Sequence, residues 1–208
     1  MNDNPGPARR VPREQVRRRL LAEAARVFTE RGYDDARIED IAHAAGFTKG
    51  AVYSNFGGKQ ELFAAVLDQG AEDELAAVSA ETGGDGDAAT VIERVAELIA
   101  ARIVTDTGRG QLGLEFAARA ARDERIRAVL APMRRAQRDT AARSIAEVTQ
   151  RTGTSPAVPE ELAGLILHCL TNGLVNEHLA DPEAVTADVI ERAFTAVLTA
   201  LLPPTAHF

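Results

Sequence analysis

The chain has 208 residues, 45% apolar and 26% charged, with a net charge of −7 and a single cysteine. This composition excludes a disordered chain, the lone Cys169 excludes an internal disulfide, and the length suffices for one large domain or two modest ones. No apolar run approaches the roughly 20 residues of a membrane span, and the polar opening MNDNPGPARRVPRE lacks the apolar core of a secretory signal, so a cytoplasmic protein without membrane contact is expected.

The charge is unevenly divided. Residues 1–60 hold 11 Lys+Arg against 8 Asp+Glu, a balance of +3, while residues 61–208 hold 13 against 23, a balance of −10. A mildly basic head on an acidic body suits a head that meets an anionic partner while the body faces away from it.

Apolar residues recur at helical spacing almost throughout, and no strand pattern is present. Residues 1–12, with two early prolines and no periodicity, read as a disordered arm. A first helix is expected from about Arg13 to Arg31, with Val16, Leu20, Ala24 and Phe28 on one face and Gly32 as its stop. A second, from about Arg37 to Ala45, buries Ile38, Ile41, Ala42 and Ala45 and ends at Gly46. Phe47 plugs the turn, Thr48 caps a third helix, and Val52 and Phe56 point inward before Gly57-Gly58 breaks it. A fourth helix spans about Lys59 to Val78, followed by the Gly/Asp loop ETGGDGD at 81–87. Later helices are expected at about 88–104, 109–121, 123–151, 159–180 and 184–202, the last with Asp181-Pro182 as cap and first residue.

The second and third helices form a helix-turn-helix at 37–56, whose second helix enters a DNA major groove. The chain's only lysines, Lys49 and Lys59, fall in or beside it. Gly50 lets backbone approach the duplex, and the helix N-terminus around Thr48 to Ala51 attracts a phosphate. Tyr53 and Lys59 are placed to hold backbone oxygens, with Arg37 as a further phosphate contact. Base reading falls to Lys49, to Ser54 or Asn55, and to the Ala51 methyl against thymine. Arg17, Arg18 and Arg19, with Arg9, Arg10 and Arg13 of the arm, either join these contacts or stand as solvated charges.

The segments EDIAHAAGFTKGAVYSNF and GGKQELFAAVL make residues 14–74 resemble the DNA-binding domain of the TetR family of bacterial transcriptional regulators. The resemblance implies DNA contacts at Thr48, Lys49, Gly50, Tyr53 and Lys59. It also implies an all-α protein: a three-helix N-terminal head, and a bundle at 75–208 that dimerises and encloses a small-molecule pocket. Where the family has a threonine entering the second helix, this chain has Ala36-Arg37, with Asp35 expected to cap instead and Arg37 to supply the phosphate contact.

The helices at 159–180 and 184–202 are more apolar than one inward face requires, which supports a homodimer on a palindromic operator. Gly173 permits close approach there. His168, Asn172 and Asn176 form an i, i+4, i+8 polar line that bonds an effector, bonds across the dimer, or faces solvent. Glu115, Phe116 and Met133 are further pocket candidates. Cys169, in the run LAGLILHCL, reads either as a small buried hydrophobe or as a redox-active thiol.

No GxSxG, Walker, HExxH or paired His/Cys metal pattern is present, so neither an enzyme nor a metal or cofactor site is expected. The expected function is a DNA-binding regulator, most simply a repressor released by a small molecule. The alternative is an architectural or cell-division DNA protein of the same fold without an effector.

Overall fold

The computed structural model describes residues 11–82 and 87–203, so the expected arm lies outside them apart from Val11 and Pro12, as do residues 83–86 of the expected Gly/Asp loop. Among the described residues the regular structure is entirely helical: α1 (Arg13–Asp35), α2 (Ile38–Ala44), α3 (Lys49–Phe56), α4 (Lys59–Thr82), α5 (Ala88–Thr105), α6 (Thr107–Ala120), α7 (Glu124–Thr152), α8 (Glu160–Ala180) and α9 (Ala187–Leu201). The chain divides into two units at Val66/Leu67, earlier than the 74/75 boundary expected.

The first unit is held by a small aromatic-aliphatic core. Leu20, Ala24 and Phe28 of α1, Ile41 of α2, Val52 of α3, and Leu62 and Phe63 of α4 are fully buried. Phe63 meets Phe28 edge-on at 4.8 Å and Tyr33 at 5.1 Å between ring centroids. Each such side chain contributes roughly 1.5–3 kcal/mol by leaving water, so these few rings dominate so small a core. Phe56, expected to point inward, is only half-buried.

The turn between α2 and α3 is a Schellman motif. The Phe47 N–H donates to Ala42 O at 2.8 Å and the Gly46 N–H to His43 O at 3.0 Å, with Gly46 at φ +77°. A side chain at that φ is strained, so glycine fixes the angle between the two helices. α1 runs on to Asp35 across a non-helical Gly32, so Asp35 ends α1 and does not cap α2. Arg37 takes the N-cap position of α2 and makes no side-chain cap bond. Glu39 and Asp40 in the first turn complement the helix dipole instead.

The second unit pairs α7 with α8 and α5 with α9. Val91, Ile92 and Val95 pack with Ile145, Val148, Ala163, Leu198 and Leu201. Ala96, Ala100 and Ile103 pack with Ile190 and Phe194. A Cβ on Gly164 would lie 2.5 Å from Arg138 O and 2.9 Å from Ala142 N, so only glycine lets α8 approach α7 so closely.

Three local expectations are corrected. Asp181 is the C-cap of α8 and accepts from the Ala184 N–H at 3.1 Å, closing a turn; α9 therefore starts at Ala187 with Thr186 before it. α4 continues to Thr82, and Asp87 caps α5 by accepting from the Thr90 N–H at 2.9 Å. Cys169 is exposed, not buried.

Candidate nucleic-acid interface and ligand cavity

Val52 anchors α3 in the core of the first unit, which turns Lys49, Gly50, Tyr53 and Ser54 outward beside Thr48; Ala51 and Asn55 are half-buried. Tyr53 is 47% exposed, a large aromatic held in water by its own fold. Thr48 occupies the N-cap position with extended backbone, yet its hydroxyl makes no cap bond. Gly50 is more telling. Its φ is not positive, and a Cβ there would meet only Thr48 Oγ1, at 3.7 Å. Glycine in a helix costs about 1 kcal/mol against alanine, and nothing inside the chain requires it here.

The cations of this face are held by neighbours. Lys49 Nζ lies 2.5 Å from Glu39 Oε1 and 5.7 Å from the Tyr53 ring centroid. The hydrogen bond between them holds Lys49 above the usual lysine range and Glu39 below the usual carboxylate range. Lys59 Nζ donates to Asp34 O at 3.0 Å and sits 4.6 Å from the Tyr33 ring centroid. Ser54 Oγ and Asn55 Nδ2 both donate to Ala51 O, at 3.1 and 2.8 Å.

Arg17 donates to Asn55 O at 3.2 Å and lies 4.5 Å from the Phe56 ring centroid. Arg13 donates to Ser54 O at 3.3 Å. Two of the phosphate candidates thus satisfy carbonyls at the C-terminal end of α3, where a cation also complements the dipole. Arg18, Arg19 and Arg37 remain exposed. An exposed ion pair such as Lys49–Glu39 holds weakly and exchanges readily for a phosphate or a base edge.

The second unit contains a cavity of about 580 Å³, within the range of small-molecule sites. One wall is aliphatic, from Val91, Val95, Ile99 and Ile103 of α5. The polar lining comes from Arg134, Gln137, Thr140 and Ser144 of α7, with His168 and Asn172 of α8. Of the six pocket residues expected, Met133, His168 and Asn172 line it. Glu115, Phe116 and Asn176 do not: Glu115 accepts from Arg119 at 3.0 Å, Phe116 is fully buried, and Asn176 is exposed.

Arg134 was not foreseen, and it organises the polar wall. Its Nη1 donates to Asn172 Oδ1 at 2.8 Å and lies 3.2 Å from His168 Nε2. Asn172 Nδ2 donates in turn to His168 O at 2.7 Å. Burial, then the nearby Arg134 and Arg138 guanidinium groups, push the His168 pKa down to about 4, so the ring is neutral and its Nε2 accepts. The available signal was its register: Arg134 follows the buried Leu130 and Met133 on α7.

Comparison with known proteins agrees with both units. Residues 20–66 match the family model "Bacterial regulatory proteins, tetR family". Residues 88–203, more than half of the chain, match "BetI-type transcriptional repressor, C-terminal". The HTH-type transcriptional activator FasR of Mycolicibacterium smegmatis is 45% identical over 58 residues, 28% of this chain and 26% of that protein. The matched segment thus spans about a quarter of such curated relatives. Among solved structures, a protein from Rhodococcus sp. assigned to the TetR family superposes with a TM-score of 0.75 at 22% identity, covering 91% of this chain and 99% of that one. A regulator-like protein from Saccharomonospora viridis, solved in complex with choline, gives a TM-score of 0.65 at 22% identity, covering 88% and 95%. These structures share the fold. By its N-terminal head and its helical body alike, the chain belongs to the TetR family of bacterial regulatory proteins.

Proposed function

We propose that this protein is a homodimeric transcriptional repressor that binds a palindromic operator through α3 and leaves it when a small molecule occupies the cavity. The observation that carries this reading is the pairing, in one chain, of an outward α3 face with a glycine the fold does not need and a cavity of about 580 Å³ with one aliphatic and one polar wall. An architectural DNA protein has no use for the second feature. On this reading Lys49 exchanges Glu39 for a base edge, Thr48 and Tyr53 hold phosphates, and Lys59 and Arg37 add flanking contacts. Ala51, Ser54 and Asn55 complete the reading surface.

Release is a population shift. The effector must bind the DNA-incompetent state more tightly than the competent one, and the difference sets how far the equilibrium moves. A choline complex of a structural neighbour supports ligand responsiveness in this fold. For the dimer, the support is a face of α8 left open in the single chain: Leu162 and Leu165 are 44% and 42% exposed, with Cys169 and Gly173 further along the same face. Exposed leucines in succession mark an association surface, and two-fold pairing presents two heads to successive half-sites.

The test is selection of genomic fragments by the purified protein at physiological salt, with the double variant Lys49→Ala/Tyr53→Phe as control. A single enriched palindrome, lost in the control, is expected. Broad enrichment unaffected by the variant would replace this reading with a nonspecific one.

A further inference from the structure

The cavity's chemistry points to a class of ligand. Its carboxylates are spent or peripheral: Asp106 accepts from the Arg109 backbone N–H at 3.3 Å and pairs with Arg109 Nε at 3.2 Å, while Asp68 is exposed. Against these two acids stand four guanidinium groups in the lining, from Arg102, Arg109, Arg134 and Arg143.

Arg134 is the decisive one. Among the described residues no carboxylate lies within ion-pairing distance of it; its partners are a neutral imidazole and an amide, and both are reached through Nη1. A guanidinium has five N–H donors in a fixed fork, so the edge formed by Nε and Nη2 is not committed to any described residue. Burial and the like charge of Arg138, one turn along α7, both act against the Arg134 charge. A charge taken from water without a counter-ion is costly, and the geometry suited to relieve it is a planar anion held bidentately.

The remainder of the ligand is set by the aliphatic lining. Val91, Val95, Ile99 and Ile103 offer branched aliphatic surface, with Phe194 as the aromatic contribution to the lining. Flat aromatic ligands find little to stack on, and a quaternary ammonium finds no aromatic cage and, with Asp106 paired to Arg109, only the exposed Asp68 as a counter-charge. We propose that the cavity takes an aliphatic carboxylate, its head on the Arg134 fork beside Asn172 and His168 and its hydrocarbon against α5. This rests on the reading of the cavity as the effector site and deepens it.

The experiment uses the full chain and three probes that differ in head charge on one tail: decanoate, decyltrimethylammonium and decanol, each at matched sub-micellar concentration. Binding is read by calorimetry and by the thermal midpoint, on the wild type, Arg134→Gln and Arg134→Lys. Decanoate alone is expected to bind well. Arg134→Gln should weaken it roughly ten- to a hundredfold, with circular dichroism checking that the variant folds. Arg134→Lys, which keeps the charge and loses the fork, should fall between. Equal binding of all three probes, or indifference of decanoate to Arg134→Gln in a folded variant, would overturn the carboxylate assignment and leave an effector cavity of another specificity. Binding of none of them would overturn the effector reading as well.

Discussion

The two units treat their cations in opposite ways. In the head, Lys49 has Glu39, Lys59 has the Asp34 carbonyl and the Tyr33 ring, and Arg17 has the carbonyl end of α3. All are near water, where such pairs form and break at little expense. In the body, Arg134 is half-buried and meets only neutral acceptors. An exposed, paired cation suits a partner that comes and goes on a surface. A half-buried cation without an acid suits a ligand that enters and completes the site.

That contrast can be broken from either side, and the largest expected effect lies beneath the head's cations. Phe28→Ala removes a fully buried ring from the cluster with Tyr33 and Phe63, and should cost about 3–5 kcal/mol in denaturant unfolding followed by circular dichroism. DNA binding should disappear with it. A loss below about 1 kcal/mol would mean the α3 face does not depend on this core.

Next in size is Lys49→Ala, which should relax preference at one base position by roughly five- to a hundredfold, read by competition between operator variants. Glu39→Gln sharpens the same point: it frees Lys49 without removing it, so affinity for all sequences should rise while thermal stability stays put. Unchanged affinity in both variants would take Lys49 out of the interface.

On the body's side, His168 predicts a pH dependence. The folded ring resists protonation down to about pH 4, while an unfolded histidine takes its proton near 6.5. Above that, the residue is neutral in both states and adds no slope. As pH falls from about 6.5 toward 4 the unfolded chain binds the proton first, so stability should decline across that window. Burial is the main cause, followed by the charges of Arg134 and Arg138 on α7. His168→Gln should flatten the decline in urea titrations between pH 7 and pH 5; an unaltered slope would assign it elsewhere.

The smallest effect belongs to Lys59→Ala. It should weaken binding to all sequences alike and reduce the salt slope of DNA affinity by about one. A change in base preference would contradict a phosphate role.

The head was legible because its instructions are local. Gly46 at positive φ, the apolar triplet of α2 and the single inward Val52 each follow from residues within one or two turns. Where a local signal was ambiguous the reading slipped. Asp181-Pro182 has the composition of a helix start, but the Asp181 carboxylate closes the turn after α8. The polar line on α8 divides for a geometric reason. Each step of four residues advances about 40° beyond a full turn, so Asn172 stays near His168 while Asn176 has rotated away from the cavity lining.

The sequence by itself determined an all-helical chain, the turn that sets α3 at its angle, and the outward residues of that helix, because helical periodicity and glycine's freedom at positive φ act over a few residues. Only the tertiary structure decided which cations are satisfied. Glu39 reaches Lys49 across the α2–α3 turn, and His168 and Asn172 reach Arg134 across 34 and 38 residues of chain. In sequence Arg134 is one arginine among many on a polar helix. Partial burial in a cavity with an aliphatic wall, with no acid at hand, is what gives it a meaning, and burial is a property of packed helices.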